Sequence, residues 1–123
     1  AIENEELYYL LEKRLLNGQP VGAICGAVDY LAKKGLLNNF KHTGNSVYLW
    51  KEYTDYNNQQ NFLEKQAVRD HNLVTANGTA SLDFAFETLR MINFKDTASI
   101  EKEIALQKLG FYEYSKKYGN PFT

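Results

Sequence analysis

The chain is short of the residues that several protein classes require. Among its 123 residues there is a single cysteine, Cys25. One thiol rules out an internal disulfide framework and cannot furnish a cysteine-rich zinc site. Only two histidines occur, His42 and His71, and with Cys25 they fit no zinc-ligand spacing, so neither a metal nor another cofactor is expected. Fourteen Lys and Arg against fifteen Asp and Glu leave a net charge of -1. Without a basic excess there is no electrostatic drive toward nucleic acid or an anionic membrane surface. Long apolar runs are also missing, and Glu3, Glu5 and Glu6 stand where a signal peptide needs positive charge. A cytoplasmic protein is the expectation. What remains is 44% hydrophobic, 14% aromatic and 24% charged, the composition of one soluble globular domain or of a piece of one.

A strongly helical pattern begins almost at once, at a chain start that carries no initiator Met, and this reads as a piece of a longer domain. Leu7, Leu10, Leu11 and Leu15 form the stripe of an amphipathic helix over about 4 to 17, with Gly18 just past its end. The apolar run from Val21 to Cys25 has no alternation and suits a parallel strand buried on both faces. Ala27, Val28, Leu31 and Ala32 then resume helical spacing up to Gly35. Helix, buried strand, helix is the signature of an α/β layer in which helices cover both sides of a mostly parallel sheet.

Further on, Phe40 to Asn45 reads as a strand end, and Val47 to Lys65 as a short helix with an irregular connection. Gln66–Arg69 and Leu73–Ala76 flank Asp70, His71 and Asn72, a hairpin signal. Thr79 and Ser81 offer caps for a helix through Leu82, Ala85, Phe86, Leu89 and Ile92. A last helix is expected from near Thr97 to Gly110, followed by an aromatic tail through Tyr112, Tyr114, Tyr118 and Phe122.

Chemistry concentrates at Ala23-Ile24-Cys25-Gly26-Ala27. A nucleophile flanked by small residues between a strand and a helix is the pattern of a nucleophile elbow, where bulky neighbours would collide in the tight turn. The helix N-terminus favours a thiolate, and the Gly26 N–H is a candidate oxyanion-hole donor. The plain alternative is a buried small residue, since free cysteine is among the most buried types. His71, in a hairpin turn, reads as a solvated polar residue. His42, at a polar strand end, is a candidate for the ligand crevice. Trp50 with Tyr48, Tyr53 and Tyr56 suits a subunit interface better than a ligand crevice, which points to a homodimer.

These residues carry a family resemblance. Ala23-Ile24-Cys25-Gly26-Ala27 with Leu31-Ala32-Lys33-Lys34-Gly35-Leu36-Leu37 resembles the elbow and helix of the ThiJ/PfpI superfamily. Asn72 to Ala85, with its Gly78 turn and the triplet Asp83-Phe84-Ala85, resembles that family's next strand, turn and helix. The resemblance covers about residues 1 to 92. It implies a three-layer α/β/α sandwich of the flavodoxin-like, class I glutamine amidotransferase-like kind, of which this chain would be the C-terminal portion. Cys25 matches the family's reactive cysteine and Gly26 the following position, where many peptidase-like members have histidine. Other members carry a histidine in the segment matching Lys41 to Asn45, and the register puts Asn45 there, with His42 three residues earlier. The thiol-tuning glutamate would belong to a preceding N-terminal segment.

The resemblance therefore implies a cysteine-dependent hydrolase or amidase acting on small carbonyl or amide compounds. The competing readings are a stress or redox protein with an oxidisable sensor cysteine, and a catalytically silent dimeric scaffold.

Overall fold

A computed structural model describes residues 5–93 and 96–120. Helix α1 spans Glu5–Leu16, strand β1 Val21–Ile24 and helix α2 Gly26–Lys33. Two 3₁₀ turns, Val47–Trp50 and Gln59–Asn61, interrupt the long connection that follows. The hairpin strands are β2, Ala67–Asp70, and β3, Leu73–Ala76, and after them come α3, Ser81–Met91, α4, Thr97–Leu109, and α5, Phe111–Tyr118.

Strand order is β1-β3-β2, with β1 parallel to β3 and β2 antiparallel to it. The α/β class is as expected, while the sheet is mixed, one parallel pair and one antiparallel. Central β3 is buried at every position, as an inner strand with an uninterrupted apolar run should be. In β1, Val21 and Ala23 are buried, Gly22 is exposed and Ile24 half-buried, and Phe84 of α3 stands over Gly22, where a Cβ would meet its ring at 3.1 Å.

Helix α1 ends in a left-handed Gly18 at φ 72°, and its last carbonyls, those of Leu15 and Arg14, accept from Asn72 Nδ2 at 3.2 and 3.5 Å. The hairpin loop thereby docks on the end of the helix. Of the predicted stripe, Leu15 is buried and Leu11 packs against the core, but Leu10 is 55% exposed. In the hairpin the positive φ falls on His71 at 52°.

Three expectations are corrected. Phe40 to Asn45 forms no strand among the described residues, only an isolated bridge from His42 to Phe62. Thr79 does not cap α3, because its hydroxyl donates to Asn77 Oδ1 at 2.6 Å; the residue at the cap is Ala80. Beyond α4 the aromatic tail is a helix of its own, broken from α4 by Gly110 at φ 81°, and Tyr114 is buried. The expected Phe122 lies outside the described residues.

The aromatic cluster is core. Trp50 is 1% exposed, Tyr56 is buried with it, and their rings meet edge to face at 5.1 Å. Burying an indole requires a partner for its N–H. Asp29 Oδ1 supplies it at 2.8 Å, which leaves Trp50 nothing to offer an interface. Tyr48, 72% exposed, is the member of the group that faces solvent.

Candidate functional site

Cys25 occupies the single residue between β1 and α2. Its backbone lies at φ 59°, ψ -125°, a conformation that costs a non-glycine residue about 1–3 kcal/mol. Hydrogen bonds on both sides hold it there: its N–H donates to Ala76 O at 3.1 Å, and its carbonyl accepts from Val28 N at 3.0 Å. Strand pairing to β3 and the first turn of α2 thus over-determine the strained residue. The side chain is exposed, which removes the buried-cysteine alternative. It makes no capping hydrogen bond to α2, and the Gly26 N–H at the start of that helix has no intrahelical acceptor.

Asn45 reaches this turn from the long connection. Its Nδ2 donates to Cys25 Sγ at 3.4 Å, while its Oδ1 accepts from Gly78 N at 2.8 Å. An amide offers a donor and an acceptor at opposite ends, so the bond to Gly78 fixes which end faces the sulfur. Gly78 sits in the turn between β3 and α3, and a Cβ there would stand 3.1 Å from Cys25 Sγ and 3.4 Å from Asn45 Oδ1. A side chain there would press on the thiol, which would have to yield by a few tenths of an ångström. Sequence reasoning had Gly78 only as a turn residue; the available signal was a glycine just past a buried strand.

The segment carrying Asn45 is anchored from below. Thr43 N donates to Thr75 Oγ1 at 2.9 Å and Thr43 Oγ1 to Lys65 O at 3.0 Å, and all of Thr43 is buried. Gly44 lies flat on Trp50, where a Cβ would meet ring atoms at 2.8 and 2.9 Å. Beyond Asn45 opens a crevice of about 560 Å³, bordered by Ser46, Tyr48, Glu64, Gln66 and Asn77.

His42 is not part of this arrangement. It is fully buried, with Trp50, Tyr56 and Phe62 around its ring. Nδ1 donates to Phe40 O at 2.7 Å, so neutral Nε2 accepts from the Tyr56 hydroxyl at 2.7 Å. Both nitrogens are committed inside the core, which leaves neither for the crevice where His42 was expected. Burial holds its pKa below the ordinary histidine value and pushes Tyr56 up to about 12. His71 stands exposed at the hairpin tip against Asp70 Oδ1 at 2.6 Å. Among the described residues no three His, Cys, Asp or Glu side chains gather as metal ligands, and no helix is long and apolar enough to cross a membrane.

A sequence model of the DJ-1/PfpI family matches residues 2–91, which take in α1 through α3 with Cys25, Asn45 and Gly78. The chain belongs to the DJ-1/PfpI family. It is 52% identical over 121 residues to a Bacillus subtilis protein named uncharacterized protease YdeA, an alignment covering 98% of this chain and 61% of that protein. Among solved structures, a thiJ/pfpI family protein from Bacillus anthracis superposes with a TM-score of 0.79 at 35% identity, over 93% of this chain and 56% of that one. A DJ-1 superfamily protein from Agrobacterium tumefaciens gives 0.74 at 30% identity, over 82% of this chain and 54% of that one. The chain thus spans little more than half the length of these DJ-1/PfpI relatives.

Proposed function

We propose that Cys25 is the nucleophile of a hydrolase or amidase-type reaction on small carbonyl or amide compounds. One observation carries this reading: an exposed cysteine held in a strained elbow with Asn45 Nδ2 3.4 Å from its sulfur. A fold spends strain on a residue with a task more readily than on a spacer. The name of the Bacillus subtilis relative, a protease, supports the same class of chemistry.

In this reaction the Cys25 thiolate attacks the carbonyl carbon and an S–C bond forms. The negative charge passes to the carbonyl oxygen, beside the Gly26 N–H at the head of α2. An aldehyde stops at the thiohemiacetal. With an amide or ester the C–N or C–O bond breaks, the leaving group departs with a proton, and water hydrolyses the thioester. Asn45 orients the thiol and the incoming carbonyl.

The test uses p-nitrophenyl acetate. A burst of nitrophenol close to one equivalent, an acetyl group on the Cys25 peptide by mass spectrometry, and loss of both in Cys25→Ser are the expected results. No burst, or acetyl groups spread over lysines with Cys25 unmodified, would overturn the reading.

A second reading is favoured by Asn45 itself. An amide exchanges no proton near neutral pH, and both histidines are engaged elsewhere, so slow turnover beside an accessible thiol suits an oxidation sensor. Peroxide would take the thiolate to the sulfenate, releasing water. Oxygen appearing on Cys25 before half-buried Met91, with no burst, selects this alternative.

A further inference from the structure

Two Asn-Gly dipeptides occur in the chain, Asn17-Gly18 and Asn77-Gly78. Such a pair can cyclise, because glycine has no Cβ to keep its backbone nitrogen away from the asparagine side chain. The second pair stands beside the thiol, in the turn from β3 to α3, and its groups are held in a definite arrangement. Asn77 Oδ1 accepts from Thr79 N at 2.9 Å and from Thr79 Oγ1 at 2.6 Å. The first of these bonds closes a ring that folds the side-chain amide back over the Gly78 peptide, as an Asx turn does. Both donors point at the oxygen that gains negative charge when Cγ is attacked. Nδ2, the nitrogen that would leave, donates to Gln66 Oε1 at 2.9 Å. What a reactive geometry still requires is a free Gly78 nitrogen, and its N–H donates to Asn45 Oδ1 at 2.8 Å.

We propose that Asn77 is a site of spontaneous deamidation, and that Asn45 is the latch that keeps it dormant. Cyclisation needs the Gly78 N–H to lose its proton to hydroxide, and a proton held in a hydrogen bond is given up only when that bond opens. When Asn45 turns away, the Gly78 nitrogen attacks Asn77 Cγ, an N–C bond forms, and the Cγ–Nδ2 bond breaks with release of ammonia. Water then opens the cyclic imide and leaves aspartate or isoaspartate at position 77. Either product carries a new negative charge beside the thiol. Isoaspartate also lengthens the main chain where Gly78 N meets Asn45, so the amide that faces Cys25 Sγ loses the bond that orients it. The surroundings of the thiol are thereby altered irreversibly by a reaction that consumes only water. Asn17-Gly18 lacks these restraints: Asn17 is exposed, and Gly18 N reaches Leu15 O only at 3.4 Å. None of this depends on what Cys25 catalyses.

The experiment incubates the full chain at mildly alkaline pH and follows deamidation at each asparagine by peptide mass spectrometry, with isoaspartate confirmed by enzymatic methyl transfer. Asn17 should convert first, with Asn77 slower by about tenfold or more, and the Gly78 amide should be protected from hydrogen exchange by a similar factor. Asn45→Ala removes the acceptor and should speed conversion at Asn77 by about tenfold or more, while Asn17 keeps its rate. Asn45→Asp keeps an acceptor for Gly78 N and should leave Asn77 as slow as in the parent. The proposal is overturned if Asn77 keeps pace with Asn17 in the parent, if the Gly78 amide exchanges as an open one does, or if Asn45→Ala brings no gain at Asn77. An equal gain at Asn77 in both variants, or a matching gain at Asn17, would assign the change to general loosening and overturn it as well.

Discussion

Gly44→Ala tests the anchoring of the segment that delivers Asn45 to the thiol. The added methyl would sit 2.8 Å from Trp50 Cζ2, 2.9 Å from Cη2 and 3.2 Å from Val28 Cγ1. Carbon atoms pack best at about 3.5 Å or more, so ring or backbone must yield by roughly 0.7 Å. The ring has little freedom to do so. It is fully buried, its Nε1 is tied to Asp29 Oδ1 at 2.8 Å, and Tyr56 and Phe62 meet it edge to face at 5.1 and 5.5 Å. Overpacking of this kind costs about 1–3 kcal/mol, and a strained hydrogen bond to a carboxylate adds to it.

Against this stands the gain of about 0.4–1 kcal/mol from a stiffer unfolded chain, available because Gly44 does not occupy a positive φ. The net expectation is a loss of about 0.5–2.5 kcal/mol by urea denaturation. Trp50→Phe removes the two atoms that clash, at the expense of the Asp29 hydrogen bond. The double variant should therefore be more stable than the sum of the single effects by about 1 kcal/mol. A Gly44→Ala protein as stable as the parent, or strict additivity in the cycle, would refute the reasoning.

Three further outcomes follow from the same geometry. Because burial holds His42 below its unfolded value, the unfolded chain takes up the proton first; stability should be complete above the unfolded value, near pH 6.5, and decline as pH falls toward 5, by at most about 1.4 kcal/mol per pH unit. Melting curves of the parent and of His42→Phe, less stable but flatter over that range, check this. Thr88→Val exchanges a buried hydroxyl without a hydrogen-bond partner for a methyl of the same shape, and should raise the melting temperature by the few degrees that about 1 kcal/mol represents. Asn45→Asp keeps the acceptor for Gly78 N but sets a carboxylate about 3.4 Å from the sulfur. Two unit charges at that distance repel by about 1.2 kcal/mol even in bulk water, so iodoacetamide labelling of Cys25 at neutral pH should slow roughly eightfold, and an unchanged rate would place Asn45 away from the thiol.

The sequence by itself determined what depends on near neighbours in the chain. The leucine stripe of α1, the run from Val21 to Cys25 and the loop at His71 and Asn72 each express a local period or a turn preference, and each stands close to where it was read. The elbow was legible for the same reason, since small residues on both sides of Cys25 and a change of period are all within five positions. The order helix, buried strand, helix likewise pointed to the α/β class.

Only the tertiary structure decided which distant groups meet. Asn45 and Gly78 lie 20 and 53 positions from Cys25, and what joins them is a stack of non-local contacts through Thr75, Thr43 and Trp50. His42 and Trp50 were read outward, to a crevice and an interface, because polar and amphipathic side chains ordinarily lie there. Both went inside once Phe40 O and Tyr56 on one side, and Asp29 on the other, could satisfy their hydrogen bonds. Burial of a polar ring depends on a partner found across the fold, and no period along the chain records where that partner stands.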